Sequence, residues 1–368
     1  MTNQDRRFMA AALRLGQRHL GQTGINPSVA TLIVNDGVIV GRGITAHGGK
    51  MHSEPLAIQE AGNKVKGATA YVTLEPCAHR QHDLPCSDSL IAAKVKRVVT
   101  TVRDVNPLIN GNGISKLRAA GIDVVEGVHS KTAARQHAGH IMRVTEKRPF
   151  VQMKIALTAN GVIGARTNRL MVTGNAAQNF AQRLRTQCDA IAIGIGTALA
   201  DTPLLTSRLA ALENRSPRRF VFDRHLRMPS DCELVKTAKQ VPLALFVAAK
   251  NAPEKIDALR QNGVEIIEVA DDNFLKSALQ RMSELGVTRL LLEAGASMAA
   301  AFMAHDLIDQ ALIIESDKLY VDADGVAGFA AQDWQRLTAS TDFEIETDRM
   351  LGEDRLRSFW RVRPCLQG

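Results

Sequence analysis

Two α/β domains in tandem are predicted by three features of the sequence. The chain has 368 residues, more than one ordinary core accommodates and close to two domains of about 150 residues each. Short runs rich in Val, Ile and Leu alternate with helix-like stretches along it. This alternation falls into two series that meet close to Arg148, with no internal repeat, low-complexity tract or Gly/Ser/Pro-rich linker between them.

In the first series, an apolar pattern through Met9, Leu13 and Leu20 predicts a helix. "SVATLIV", the turn "NDG" and "VIVGRGI" then read as a β-hairpin, because Asp-Gly supplies the positive φ angles that tight hairpins need. A helix beginning near His52, the strand "TAYVTL", the helix "CSDSLIAAKV", the strand "RVVTTV", a helix over 114–120 and the run "IDVVEGV" follow. Residues 130–147 read as one connecting helix. In the second series the order is "FVQMKIAL", a helix over 175–187, "AIAIGIGT", "RRFVFD", "PLALFVAA", "VEIIEVA", a helix over 274–285, "VTRLLLEAG", a helix over 296–304 and "QALIIES". Strands that alternate with helices in this way imply a mostly parallel sheet flanked by helices.

The stretch "MHSEPLAIQEAG", residues 51–62, sets an acidic residue two places after a histidine at a helix start. It has a plain reading: Ser53 as N-cap, Pro55 in the first turn, and Leu56, Ile58 and Ala61 as a buried face. A second stretch, 73–93, "TLEPCAHRQHDLPCSDSLIAA", carries two Pro-Cys pairs. His52, Cys77 and Cys86 then offer three N/S ligands, the number a catalytic zinc takes while leaving its fourth position to water. Glu54, on the same helical turn as His52, would stand beside that water as a proton shuttle, an arrangement suited to attack on an amino-bearing ring carbon. Two other readings stay open. Cys77 and Cys86 could pair as a disulfide, although five cysteines and no apolar signal-like run at the start suggest a reducing compartment. They could also hold a structural zinc with His79 or His82 as a fourth ligand. Both stretches start helices, whose partial positive charge favours ionised thiolates and an ionised Glu54.

The net charge is +8, yet aromatic residues make up only 4% of the chain, with two Trp and two Tyr. Base-stacking platforms need interleaved aromatics, so an anionic small molecule is the expected partner rather than nucleic acid. No transmembrane-length apolar run occurs. In the second series, Gly194 and Gly196 follow a strand but lack the third glycine of a dinucleotide fingerprint. "EAGAS", residues 293–297, is a second strand-to-helix turn of the kind that accepts phosphates on backbone N–H groups, or else a plain turn.

From about Asp5 to the C-terminal region, the chain resembles the bacterial bifunctional deaminase-reductases of riboflavin biosynthesis. In the first half the resemblance rests on "INPSVATLIVNDGVIVGRG", "GGKMHSE", "GATAYVTLEPCAH", "PCSDSLIAAKVKRVV" and "RDVNPLINGNGISKLRAAGIDV". "RPFVQMKIALT", "GTALADTPLLTSR" and "EAGASMAAAF" carry it in the second half, and the long spacing between the two cysteines is the family's own. The resemblance implies a cytidine-deaminase-like three-layer α/β/α domain over 1–147, a zinc-dependent pyrimidine deaminase. A dihydrofolate-reductase-like α/β domain over 148–368, an NADPH-dependent reductase, would follow.

Residue by residue, the resemblance implies His52, Cys77 and Cys86 as zinc ligands and Glu54 as the deamination acid/base, with Asn26 and His79 lining the pyrimidine or its ribose-phosphate arm. Lys154 and Ala156 match the family's K-x-A strand, and Arg185 its substrate arginine. Thr197, Asp201, Leu205 and Arg208 lie on the cofactor loop, with Leu205 and Arg208 toward the substrate. Glu293 would face the substrate, and Gly295, Ala296 and Ser297 would receive the dinucleotide. Lys154 and Asp201 are the candidates for polarisation and proton handling. The sequence departs from the family at Gln81, His82, Asp83 and Leu84, where a Gly, a basic residue, Thr and Pro are usual. It departs again at "TANG" (158–161), at Met171, where a cofactor-contacting Trp is usual, and at Arg169, in place of a small substrate-contacting residue. The implied chemistry is removal of the 2-amino group of a phosphoribosylamino-diaminopyrimidinone, then NADPH-dependent reduction of the ribosyl chain to ribityl. A deaminase-only enzyme with a silent second domain is the alternative. A phosphorylated pyrimidine partner, no nucleic-acid or membrane partner, a homo-oligomeric state and a cytoplasmic location are expected.

Overall fold

The computed structural model describes residues 1–79, 84–167, 170–248 and 253–363. Two compact units emerge, one built on Met1–Lys147 and the other on Arg148–Val362.

The first unit holds strands β1 (Ala30–Asn35), β2 (Val38–Ile44), β3 (Thr69–Val72), β4 (Arg97–Thr100) and β5 (Asp123–Val125) in the order β2-β1-β3-β4-β5. β1 is antiparallel to β2 and β3, whereas β3, β4 and β5 run parallel. Asp36 and Gly37 close the β1–β2 hairpin at φ 48° and 78°, the paired positive angles that match strand twist. Strand side chains alternate between faces, and each face meets its own helices. Leu32, Val34, Tyr71 and Val99 pack with the helix Asn3–Gly16 through Phe8, Met9 and Leu13. Ile33, Ala70, Val72 and Val98 pack with the helices Ser53–Ala61, Cys86–Ala92 and Asn112–Ala119 through Ala57, Leu90 and Leu117. The sheet is thus the middle of three layers. The predicted helix over 130–147 is instead two, Ser130–Gln136 and Ala138–Thr145. Between them His137 turns to φ −89°, ψ 9°, and its Nε2–H donates to the Thr73 carbonyl at 2.7 Å, so a long-range bond interrupts the helix.

The second unit contains β6 (Phe150–Leu157), β7 (Val162–Ala165), β8 (Ala190–Gly194), β9 (Arg218–Phe222), β10 (Leu243–Ala248), β11 (Val264–Val269), β12 (Arg289–Glu293), β13 (Gln310–Glu315), β14 (Gly325–Ala327), β15 (Phe343–Leu351) and β16 (Asp354–Arg361). Nine of them make one sheet, β11-β10-β9-β8-β12-β6-β13-β16-β15, and β14 pairs with β7 as a ribbon. The seven strands from β11 to β13 are parallel, and β16 and β15 close the edge antiparallel. Parallel strands covered on both faces read as continuous apolar runs, which "LALFVA" and "AIAIG" illustrate. One face packs on the helices Phe274–Glu284 and Ala296–Ala304, the other on Asn175–Arg185 and Pro253–Gln261. From β8 the chain proceeds outward to β11, then returns to insert β12 between β8 and β6. Such a reversal opens a crevice at the carboxyl ends of the strands. The predicted strand over 190–197 stops at Gly194, and a short helix, Ile195–Asp201, begins at once. Among the described residues, no helix is long and apolar enough to cross a membrane.

Candidate active sites

In the first unit, two glycines bring β2 onto the helix Ser53–Ala61. A Cβ on Gly43 would lie 1.9 Å from the Ser53 carbonyl oxygen, and one on Gly41 2.2 Å from that of Ala57. Only glycine permits this approach, and it fixes the start of the helix relative to the sheet. His52 occupies the N-cap position with extended backbone, and Ser53 is the first helical residue rather than the cap predicted from the sequence. The reason lies on β1: Thr31 Oγ1 meets Ser53 Oγ at 2.7 Å, and Ser53 donates to Glu54 Oε2 at 3.1 Å. Glu54 is thereby held in the buried first turn, 3% exposed.

Glu75, which the sequence reading passed over, braces the segment carrying Cys77. Its carboxylate accepts the backbone N–H groups of Asp104 (3.2 Å), Gly111 (2.9 Å), Gly113 (3.0 Å) and Ile114 (3.3 Å). It therefore caps the helix Asn112–Ala119, satisfying donors that a helix start leaves unpaired. Gly113 packs so closely that its Cβ would sit 1.9 Å from the Pro76 carbonyl oxygen. An acidic residue at a strand end just before Pro-Cys was the available signal.

These elements converge on three side chains. The ligand atoms of His52, Cys77 and Cys86 lie within 4.8 Å of one another. His52 Nδ1 is 3.2 Å from Cys86 Sγ and 3.7 Å from Cys77 Sγ, and the Cys86 N–H donates to Cys77 Sγ at 3.3 Å. Tetrahedral zinc with ordinary Zn–S and Zn–N bonds spaces such atoms about 3.5 Å apart, so the donor set fits zinc in both number and spacing. The cysteines are free thiols, which removes the disulfide reading. His79 stands outside the cluster of three among the described residues, with both ring nitrogens buried and unpartnered. His82, Gln81 and Asp83 lie outside the described residues. Asn26 is half-buried and donates through Nδ2 to the Gly49 carbonyl at 2.9 Å.

The electrostatics of the trio favour a divalent cation. The facing Cys86 thiol draws Cys77 down to about 4 against burial, with His52 and the Cys86 N–H assisting. That same contact and burial push Cys86 well above the usual thiol range. The pair is thus biased toward losing one proton beside an imidazole, and a bound dication would let the second thiol ionise. Burial raises Glu54 above the ordinary carboxylate range, while His52 pulls it back. A carboxyl tuned upward is suited to both taking and giving a proton near neutral pH.

In the second unit, a cleft of about 950 Å³ opens along the carboxyl ends of the parallel strands. It gathers every candidate cofactor, substrate and catalytic residue named from the sequence for this half that lies within the described residues, whereas residues 158–161 do not line it. Lys154 and Ala156 reach it from β6, and Glu293 from β12. Gly295, Ala296 and Ser297 form the start of the helix Ala296–Ala304, and Thr197 and Asp201 belong to the helix Ile195–Asp201. Met171, Arg185, Leu205 and Arg208 complete the set. Arg169 lies outside the described residues. The two helix starts adjoin: a Cβ on Gly295 would lie 3.1 Å from Thr197 Oγ1, and one on Gly194 2.9 Å from Met298 Cε. Two helix N-termini side by side at a topological reversal present backbone N–H groups suited to a pyrophosphate. Leu205 is buried at φ 57°, and Met171, 53% exposed, lies at the rim.

At the cleft floor Arg185 and Glu293 bind each other. Nε donates to Oε1 at 2.9 Å and Nη2 to Oε2 at 3.0 Å, and Arg185 Nη1 donates to the Thr206 carbonyl at 2.9 Å. Glu293 is also the register partner of Lys154 across β12 and β6. Burial lowers the Lys154 ammonium pKa, with Glu293 opposing the fall and Arg185 adding to it. Burial works against ionised Glu293, but Arg185 and Lys154 overcome it and hold the carboxyl below its usual range.

Compared with known families, residues 2–102 match the cytidine and deoxycytidylate deaminase zinc-binding region, and residues 149–316 match the RibD C-terminal domain. The riboflavin biosynthesis protein RibD of Aquifex aeolicus (strain VF5) is 34% identical over 86% of this chain and 87% of that protein. RibD of Actinobacillus pleuropneumoniae is 33% identical over 99% of this chain and 96% of that protein. Among solved structures, the diaminohydroxyphosphoribosylaminopyrimidine deaminase/5-amino-6-(5-phosphoribosylamino)uracil reductase of Thermotoga maritima superposes with a TM-score of 0.84 at 29% identity. It covers 98% of this chain and 99% of that one.

Proposed function

The chain belongs to the bifunctional deaminase-reductases of riboflavin biosynthesis, and from that premise we propose how its own residues divide the work. It is a zinc-dependent pyrimidine deaminase and an NADPH-dependent reductase. We assign the deamination to residues 1–147 and the reduction to 148–368. The observation that carries this reading is that the two donor sets named from the sequence assemble separately, one around a buried Glu54 and one around a single cleft.

His52, Cys77 and Cys86 would hold zinc, which when bound supplies Lewis acidity that makes water a nucleophile near neutral pH. Glu54 takes the proton from the attacking water and returns it to the pyrimidine as the 2-amino group departs as ammonia. Asn26 and His79 would line the ring or its ribose-phosphate arm, the unpartnered His79 nitrogens being available for polar contacts. In the second unit a bound dinucleotide would supply the hydride that the ribosyl carbon needs in its open, imine-like form. Lys154, whose proton is loosened by burial, would protonate the nitrogen and complete the ribitylamino chain. Asp201 would assist in proton handling, and Arg208 would attract the substrate phosphate. The formed cleft speaks against a silent second domain.

The +8 charge and the rarity of aromatics support an anionic small-molecule partner over nucleic acid. β15 is an edge strand with Ile345 and Met350 exposed on it, and its unpaired backbone groups offer a second copy a place to pair, which supports a homo-oligomer. A cytoplasmic location fits the free thiols. The experiment for the assignment is a pair of single-site variants, Glu54→Gln and Lys154→Ala, each assayed for both half-reactions. Each should abolish its own reaction alone, and loss of both reactions in either variant would refute the division.

A further inference from the structure

We propose that Ser53, backed by Thr31, is a positioning residue for deamination: it pins one oxygen of Glu54, so that the other, Oε1, does the proton carrying. This rests on the deaminase reading above. Replacing the 2-amino group by oxygen takes one water apart. Its oxygen bonds to the ring carbon as the C–N bond breaks, one of its protons goes to the ring nitrogen beside that carbon, and the other leaves with the amino group as ammonia. A shuttle such as Glu54 therefore loads and unloads twice in each turnover. A carboxyl free to turn presents either oxygen to each transfer, whereas a pinned one returns to the same geometry.

Thr31, Ser53 and Glu54 are all buried, with exposures of 0%, 0% and 3%. Ser53 donates its hydroxyl proton to Glu54 Oε2 at 3.1 Å. The 2.7 Å contact between Thr31 Oγ1 and Ser53 Oγ is then a bond from Thr31 to Ser53, because a hydroxyl has a single proton to give. The bonds thus run one way, from β1 to the carboxyl. They keep Oε2 an acceptor: a proton on Oε2 would point at the Ser53 proton and leave one buried donor unpaired. Glu54 therefore takes up and releases protons at Oε1.

The pair stands on rigid elements. Thr31 lies on β1, between β2 and β3, as the register partner of Gly43 and Val72. Gly43 is the glycine whose missing Cβ admits the Ser53 carbonyl. Ser53 is thus held twice, its backbone against β2 and its hydroxyl against β1. Thr31 and Ser53 acting as packing alone would be complete with the bond between them. The second bond aims the pair at the acid/base.

Ammonia release from 2,5-diamino-6-(5-phosphoribosylamino)pyrimidin-4(3H)-one by the full, zinc-loaded chain tests this, with zinc content measured for each variant. Ser53→Ala should lower kcat about tenfold or more, the scale of one hydrogen bond to a charged group, with KM within about twofold and zinc retained. Thr31→Val should lower kcat less, about threefold, and Thr31→Ser, which keeps the hydroxyl, should match the wild type. In a Glu54→Ala chain, followed with enzyme in excess, Ser53→Ala should cost less than about twofold, since a residue that acts through Glu54 has nothing left to act on. Should Ser53→Ala fail to fold, the two Thr31 variants decide. Ser53→Ala or Thr31→Val at wild-type kcat, an equal loss with and without Glu54, or a loss that follows zinc content overturns the proposal alone. A wild-type chain that releases no ammonia overturns the deaminase reading, and this proposal with it.

Discussion

Arg185 and Glu293 are joined by two hydrogen bonds of 2.9 and 3.0 Å across the floor of the reductase cleft. Each was expected to face substrate, yet each is first the partner of the other. The pair holds a carboxylate beside Lys154, so it acts on the proton that Lys154 is proposed to deliver.

Removing that carboxylate should change a pH profile. Lys154 is already depressed by burial, and Glu293 is the group that raises it. On the role proposed for Lys154, reduction needs the ammonium, so its rate should fall as pH rises through the Lys154 pKa. Glu293→Gln lowers that pKa further, and the alkaline limb of the reductase profile should move to lower pH. Arg185→Met takes from the half-buried Glu293 its two guanidinium hydrogen bonds and leaves it Lys154 alone, and should destabilise the second unit by about 2 kcal/mol, read as the denaturation midpoint of that unit.

Glu54→Gln should keep zinc, because Glu54 lies outside the three-ligand cluster. Deamination should fall about 100- to 10,000-fold, the usual contribution of a positioned acid/base group. Metal analysis and ammonia release check the two halves of this expectation. A variant that sheds its zinc would make Glu54 a ligand instead.

Glu75→Gln should weaken the metal site from a distance. Neutralising the carboxylate that collects four backbone N–H groups loosens the segment carrying Cys77. Zinc should be lost to a competing chelator at least several-fold faster, with NADPH affinity unchanged.

Asp5 ties the first helix of the deaminase unit to its sheet. Its carboxylate accepts Arg97 at 2.6 and 3.1 Å, the Thr2 N–H at 2.7 Å and the Tyr71 hydroxyl at 3.3 Å. Arg97, above all, holds the Asp5 pKa well below its usual value. A depressed carboxylate contributes stability above its unfolded pKa, near 4, and loses it as pH falls toward the folded value. Acid titration of the first unit should show this loss below about pH 4, and Asp5→Asn should cost about 2 kcal/mol at neutral pH and flatten the acid limb.

The chain of strands and helices was legible because its periodicities are clean: the β1–β2 hairpin follows from Asp36-Gly37, and the parallel strands from unbroken apolar runs. Long-range bonds were not legible. His137 breaks a helix because it finds the Thr73 carbonyl, and Ser53 leaves its cap for Thr31. The helix Ile195–Asp201 begins inside a run of β-formers because the strand ends at the crevice. The C-terminal hairpin β15–β16 went unread, since its outer strand is largely polar and exposed. In the metal site the ligands were legible from residue type and spacing, but Glu75 was not, since a buried capping carboxylate looks in sequence like any surface acid.

The central claim is that one chain performs both steps in order. The most direct test supplies the purified, zinc-loaded protein with 2,5-diamino-6-(5-phosphoribosylamino)pyrimidin-4(3H)-one and NADPH, and follows ammonia and NADPH together. Equal amounts of ammonia released and NADPH oxidised are expected. Glu54→Gln should stop NADPH oxidation from this substrate but not from its deaminated product. Ammonia release without NADPH oxidation by the wild-type chain, or NADPH oxidation from the diamino substrate by Glu54→Gln at the wild-type rate, would contradict the account.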